Sequence, residues 1–140
     1  MGFQVKSGTT LKDLANATSA VSINGVSVGK FGTGQDSIGY GTTNTTATSV
    51  NSLAVGTSAA NSMTNGNNVS AIGYRAGYSN TTGSDWSAVG YQAGYSNTTG
   101  AAWSAFGRQA GYLNTTGSSW SAVGYQAGYS NTTGGGWTAN

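Results

Sequence analysis

The stretch Ser87-Ala-Val-Gly-Tyr-Gln-Ala-Gly-Tyr-Ser-Asn-Thr-Thr-Gly-Ala-Ala-Trp103 decides the fold, because it recurs almost unchanged along the chain. The same pattern begins again at Ser104 and at Ser121, so one copy is 17 residues long. An apolar residue followed by glycine anchors each of six copies: Ile38-Gly39, Val55-Gly56, Ile72-Gly73, Val89-Gly90, Phe106-Gly107 and Val123-Gly124. A fixed period of this length is the signature of a stacked repeat array.

Large and small side chains alternate within one copy, as they do along a β-strand. One face carries Val89, Tyr91, Ala93 and Tyr95, and the other carries Ala88, Gly90, Gln92 and Gly94. Asn97-Thr-Thr-Gly100 supplies the residue types of a turn. A helix is disfavoured because glycine recurs every three or four residues. The pattern predicts an all-β fold, a parallel β-roll or β-solenoid of about six 17-residue turns with two short strands and two corners in each turn.

A turn of 17 residues encloses little space, so we expect the alanine and glycine face to fill the interior. The valine, tyrosine and tryptophan side chains would then form long exposed stripes on a single chain. Such stripes usually mark an interface, and three-fold association would bury one of them. The sequence therefore predicts a homotrimer. The candidate core or trimer-interface residues are Ile38, Val55, Ile72, Val89, Phe106 and Val123.

Aromatic residues recur at two further positions and form a candidate stacking or glycan-contact ladder. Its members are Tyr78, Tyr95, Tyr112, Tyr129, Trp86, Trp103, Trp120 and Trp137. Packing of these rings between turns or between chains is the favoured interpretation, because large aromatics are the main apolar side chains available. Arg75 and Arg108 interrupt the repeat. Each is either a cation–π partner of a neighbouring tyrosine or an ordinary solvated side chain, and the latter is favoured.

The chain divides into an N-terminal segment and the repeats. Residues 1–35 lie outside the repeat and are predicted to attach it to a base. Thr10–Asn16 is compatible with a short helix, and Asn24-Gly25 between two alternating runs predicts a hairpin over Ala20–Gly29. Residues 36–137 are the six repeats, and residues 138–140 begin a further, truncated or uncapped copy.

The composition excludes several functions. The chain has five Lys and Arg, three Asp and Glu, no His and no Cys, so it offers no catalytic residues, no metal ligands and no cofactor site. The five cations are scattered, which argues against nucleic-acid binding. No apolar run approaches the ~20 residues that span a bilayer, so membrane insertion is not expected.

Two segments resemble a known group of repeats. Ser52-Leu-Ala-Val-Gly56 and Ser70-Ala-Ile-Gly73 resemble the Ser-x-Ala-Ile-Gly head repeats of trimeric autotransporter adhesins, which form a left-handed parallel β-roll. The longer unit, with Gly-Tyr-Gln-Ala-Gly-Tyr and Asn-Thr-Thr-Gly, is more similar to repeats of bacteriophage tail fibres. The resemblance covers residues 36–140. The chain departs from the adhesins in its longer period, and it shows neither their membrane anchor nor the self-cleaving chaperone domain of many fibres.

The resemblance implies a structural and adhesive fibre protein of the virion, a rigid spacer that also contacts a host surface glycan. Its implied partners are two further copies of itself and a tail, baseplate or other anchoring protein bound through residues 1–35. No apolar signal sequence follows Met1, which favours the tail fibre over the secreted bacterial surface adhesin, an extracellular alternative. An ice-binding β-solenoid is a third hypothesis, because the Thr-Thr pairs align from copy to copy.

Overall fold

Nine strands follow one another in chain order across one sheet in the computed structural model, which describes residues 21–23, 26–28, 35–39 and 51–140. The strands are β1 (Val21–Ile23), β2 (Val26–Val28), β3 (Gln35–Gly39), β4 (Ser52–Val55), β5 (Val69–Ile72), β6 (Trp86–Val89), β7 (Ser104–Phe106), β8 (Ser121–Val123) and β9 (Thr138–Ala139). Side chains are described for residues 51–140. The short helix predicted over residues 10–16 lies outside the described residues.

The pairing of the strands follows the repeat. Strand β1 pairs antiparallel with β2, with Ile23 opposite Val26, and β2 pairs antiparallel with β3. From β3 onward every pair is parallel, and each residue lies beside its equivalent one copy away, as Ser87 lies beside Ser104. The described repeats thus form a β-solenoid of about 5 turns of ~17 residues. This confirms the predicted all-β parallel solenoid in which one copy makes one turn.

Each described turn contains one strand, which corrects the prediction of two. Strand β6 ends at a bend at Gly90, whose φ is +133°. Two further residues of the same turn, Gln92 and Gly94, have φ of 54° and 58°. Left-handed residues rotate the chain out of the extended conformation, so strict alternation of side chains stops after Val89. The segment from Tyr91 to Ser96 is a succession of turns.

The interior of the solenoid holds tryptophan, which corrects the predicted placement of these rings on the outside. Trp86 and Trp103 are 1% exposed and Trp120 is 2% exposed. They lie among fully buried alanines such as Ala88 and Ala93. Successive indoles stack with ring centroids 4.7–4.9 Å apart. Each indole N–H is satisfied within its own turn, since Trp103 Nε1 donates to the Gly100 carbonyl at 2.9 Å.

Glycine nine residues before each tryptophan makes room for the ring. A Cβ atom at Gly94 would lie 2.5 Å from Cη2 of Trp103, and Gly77 stands in the same relation to Trp86. The earliest described turn has a different pair at these positions, Ala60 and Val69, both buried. The smaller valine leaves space for the alanine methyl, so the two positions change size together.

A column of asparagines fills the opposite part of the interior. Asn80, Asn97 and Asn114 are fully buried. Asn97 Nδ2 donates to Asn114 Oδ1 at 3.1 Å and to the Gly117 carbonyl at 3.1 Å. Hydrogen bonds of this kind satisfy amides that would be costly to bury alone. The asparagine of each Asn-Thr-Thr-Gly segment therefore joins neighbouring turns as well as shaping its own corner.

We expect Ala102→Asn to stabilise the chain. Ala102 is exposed and has φ of 55°, a conformation that costs an ordinary residue about 1 kcal/mol and that asparagine adopts more readily. Asparagine already occupies the equivalent positions 51 and 68. Urea unfolding should show a gain of about 1 kcal/mol. Ala101→Asn is the control, because Ala101 has no positive φ, and an equal gain there would contradict this reason.

Candidate functional site

The outer face of the strands carries an apolar column, defined as Val55, Ile72, Val89, Phe106 and Val123. Each member follows a buried alanine in its strand, so its side chain points away from the interior. Ile72, Phe106 and Val123 are 39%, 41% and 48% exposed. These residues are therefore not the core of the single chain, which corrects one half of the prediction made for them. Their role in a trimer interface stays a prediction, and the side chain of Ile38 lies outside the described residues.

Two tyrosine columns run beside each other beyond the glycine bend. The first column is Tyr74, Tyr91, Arg108 and Tyr125, and the second is Tyr78, Tyr95, Tyr112 and Tyr129. Rings of the second column stack with centroids 5.1 Å apart and planes within 4–11°. Stacked rings cover one another's faces, so the column presents ring edges and hydroxyl groups to solvent. Glycan contact by these tyrosines stays a prediction, and ring edges and hydroxyls are the surfaces available for it.

The tryptophans of the predicted ladder are placed differently from the tyrosines. Trp86, Trp103 and Trp120 have almost no exposed surface, so they offer a ligand nothing to contact. Trp137 is partly buried and stacks on Trp120 at 4.9 Å. The candidate ladder therefore separates into an interior indole column and a surface tyrosine column. Only the tyrosines belong to a candidate binding surface.

A glutamine column lies between the two tyrosine columns and consists of Gln92, Gln109 and Gln126, with Arg75 at the equivalent position one turn earlier. Gln126 Nε2 donates to Gln109 Oε1 at 3.1 Å, and Gln109 Nε2 donates to Gln92 Oε1 at 3.2 Å. Arg75 shows that both tyrosine columns are within reach of this position. Its Cζ lies 5.1 Å from the ring centroid of Tyr74 and 5.4 Å from that of Tyr78. We call these three columns together the Tyr–Gln face.

Both arginines of residues 51–140 lie on the Tyr–Gln face, in contact with tyrosines. Arg108 Cζ is 5.5 Å from the Tyr91 ring and 5.4 Å from the Tyr125 ring, and its Nη1 donates to the Tyr125 hydroxyl at 3.0 Å. These are cation–π distances. The interpretation of both arginines as ordinary solvated side chains, favoured from the sequence, is therefore wrong.

The environment of Tyr112 changes its acidity. Burial raises the pKa of this phenol above its ordinary value of 10.0, and the nearby Tyr95 and Tyr129 raise it further, while Arg75 lowers it. Burial disfavours the charged phenolate, and adjacent phenolates repel one another. Tyr112 is thus held in its neutral form at the centre of the second column.

We expect Tyr112 to make the fold less stable in alkali. Its folded pKa is raised, so above pH 10.0 the unfolded chain loses this proton first and the folded chain holds more protons. The contribution is complete below the unfolded pKa and is lost as pH rises through the folded pKa. Urea unfolding midpoints measured on both sides of pH 10.0 should fall with pH, and they should fall less in Tyr112→Phe. Equal slopes for the two proteins would contradict the prediction.

The threonine pairs do not present two rows of free hydroxyls. Thr81 Oγ1 donates to the Thr98 carbonyl at 3.0 Å, and Thr98 Oγ1 donates to the Thr115 carbonyl at 3.0 Å. The first threonine of each pair is thus tied to the next turn. Only the second threonine is exposed, in a single column formed by Thr82, Thr99 and Thr116.

The described side chains offer little reactive chemistry. Residues 51–140 contain three charged side chains, Arg75, Asp85 and Arg108. In the described part of the chain there is no group of three or more His, Cys, Asp or Glu residues that could hold a metal ion. Within those same residues no helix has the length and apolar character needed to span a membrane.

Comparison with protein-family models, with curated proteins and with solved structures finds no match to this chain. The likeness to fibre and adhesin repeats therefore stays a prediction from the residues that carry it.

Features of the interior were the ones that sequence reasoning missed. The indoles, the asparagine column and the glutamine column all depend on which way a side chain turns after a left-handed residue. One signal was available in the sequence. Glycine and tryptophan keep a nine-residue spacing in four copies, and the same spacing joins Ala60 to Val69.

Proposed function

We propose that this chain is a structural and adhesive segment of a trimeric fibre of the phage tail-fibre type. The solenoid is a rigid spacer, and residues 1–35 attach it to an anchoring protein of the virion. The observation that carries the proposal is the continuous apolar column on the outer strand face. It runs along the rod axis over successive turns and exposes large side chains that one chain leaves uncovered.

The interior supports the role of a spacer. Trp, Asn and Ala columns continue from turn to turn, and each residue contacts its equivalent one copy away. Stability in such an array is a sum over neighbouring turns, so its length is set by copy number. A rod built in this way transmits position and force without a catalytic centre.

The apolar column fits a three-fold axis. The rows of Ile, Val and Phe lie on one face, and Gly90 bends the chain away before the Tyr–Gln face begins. Three chains related by rotation would bury the same column of each, as closed symmetry requires. The Tyr–Gln face of each chain would remain on the outside of the trimer.

The ice-binding alternative is less well supported by the geometry. Ordering of water by a flat face would use two rows of hydroxyls, whereas one threonine of each pair donates to a main-chain carbonyl. A secreted adhesin would use the same solenoid, and the genes that neighbour this sequence would separate it from a tail fibre.

Multi-angle light scattering tests the proposal directly. We expect a mass about three times the 13.9 kDa of one chain. The double variant Phe106→Gln/Val123→Gln should shift the mass toward that of a monomer. The matched control is Thr99→Gln/Thr116→Gln, which changes two exposed residues of another column. A monomeric unaltered protein would sink the trimer, and a trimer insensitive to the Phe106 and Val123 changes would place the interface elsewhere.

A further inference from the structure

The two arginines of residues 51–140 depart from the repeat on the same face. Copies that lack Arg75 have glutamine at its position, in Gln92, Gln109 and Gln126, and copies that lack Arg108 have tyrosine, in Tyr74, Tyr91 and Tyr125. Both departures therefore add a positive charge to an otherwise neutral surface of phenol and amide groups. The described acidic side chain, Asp85, belongs to another column, where its carboxylate accepts a hydrogen bond from Asn68 Nδ2 at 2.8 Å.

The guanidinium of Arg108 is held in a defined orientation. It lies between Tyr91 and Tyr125 in place of a tyrosine ring, and one of its nitrogens donates to the Tyr125 hydroxyl. A guanidinium has five N–H donors in one plane, and four remain after this bond. Because rings cover its faces, those donors are directed sideways. Planar, bidentate carboxylates are the groups that such an edge binds best.

We propose that the Tyr–Gln face binds an acidic polysaccharide whose charge comes from uronic-acid carboxylates. Arg75 and Arg108 differ by two turns, which corresponds to about 10 Å along the axis at ~4.8 Å per turn. A small anion does not bridge that distance, whereas one polymer chain contacts both arginines. Between them the phenol hydroxyls and glutamine amides repeat at every turn and suit the hydroxyl groups of successive sugars. This inference rests on the proposed adhesive function and names its ligand class.

The same surface is poorly suited to single-stranded nucleic acid. Bases bind proteins by stacking on open aromatic faces, and here each tyrosine face is covered by the next ring. Two cations are also too few to follow a phosphate backbone. An acidic sugar polymer needs neither feature, because its hydroxyls bond to ring hydroxyls and amides while its sparse carboxylates bond to the arginines.

The test compares the full chain with Arg75→Gln/Arg108→Tyr in binding to polygalacturonate by isothermal titration calorimetry. Each substitution installs the residue that the same position holds in other turns, so we expect thermal unfolding to change little. We expect binding to weaken at least about tenfold in the double variant and to weaken with added salt in the unaltered chain. Lys30→Gln is the control, because it removes one positive charge outside the face, and it should bind as the unaltered chain does.

Neutral dextran and dextran sulfate complete the design. We expect no binding to dextran and weaker binding to dextran sulfate than to polygalacturonate. The inference is overturned if the unaltered chain does not bind polygalacturonate, if the double variant binds equally well, or if dextran sulfate binds more tightly. Light scattering of the same samples separates the two proposals. A trimer without binding overturns only this inference, and a monomer that binds overturns only the trimer.

Discussion

Replacing Gly100 with alanine is expected to disrupt the stacking of the turns. The added Cβ would lie 2.1 Å from the Gly117 carbonyl oxygen and 2.5 Å from Asn97 Nδ2. Relief requires two backbones to move apart, which breaks hydrogen bonds between the turns as well as the asparagine column. We expect a loss of at least about 3 kcal/mol of unfolding free energy, the upper end of the usual cost of overpacking. Urea unfolding followed by far-ultraviolet circular dichroism measures it.

The matched control is Gly136→Ala. This glycine has φ of +68° and no atom within 4 Å of an added Cβ, and its equivalent Ala102 already carries a methyl group at φ of 55°. The cost should be about 1 kcal/mol, from the left-handed conformation alone. If both variants lose the same amount, the turns do not approach as closely at Gly100 as described.

The size-matched pair Gly94 and Trp103 gives the second large effect. Trp103→Val removes most of an indole that is 1% exposed, two ring contacts and the hydrogen bond to the Gly100 carbonyl. We expect a cost of about 3 kcal/mol, near the lower end for truncating a buried aromatic. Gly94→Ala alone should cost about 2 kcal/mol, because its Cβ would meet the Trp103 ring.

The double variant Gly94→Ala/Trp103→Val copies the combination found at Ala60 and Val69. Its cost should fall short of the sum of the single costs by at least about 1 kcal/mol, since the methyl group enters the space that the indole leaves. Gly94→Ala/Trp120→Val is the mismatched control, because the Trp120 ring packs on Gly111 instead. Equal coupling in both doubles would contradict the pairing of glycine with the tryptophan nine residues later.

The stacking of turns was predictable because it depends only on period. Equivalent residues such as Ser87 and Ser104 recur 17 apart, and parallel pairing brings them side by side whatever the path between them. The apolar column followed from the same reasoning, since Val89 alternates with Ala88 inside one strand. Local periodicity was sufficient wherever the chain stays extended.

The direction of side chains beyond the strand was not predictable from alternation. Gly90, Gln92 and Gly94 all have positive φ, and three such residues turn the chain three times within five positions. Gln92 has an ordinary side chain, so its left-handed conformation leaves no clear mark in the sequence. This is why the indoles were expected outside, although Gly94 leaves the space that one of them fills. The trimer and its ligand depend on surfaces between molecules, which periodicity within one chain does not specify.

The stacking of equivalent residues at every turn is the central claim, and paired spin labels test it most directly. The chain has no cysteine, so labels can be placed on Thr99→Cys and Thr116→Cys, two exposed positions 17 residues apart. At the ~4.8 Å spacing of adjacent strands, the two labels should show strong spin exchange in electron paramagnetic resonance spectra. Labels on Thr99→Cys and Thr133→Cys, two turns apart, should show only weaker dipolar broadening. A Thr99/Thr116 spectrum equal to the sum of the singly labelled spectra would contradict the stacked solenoid.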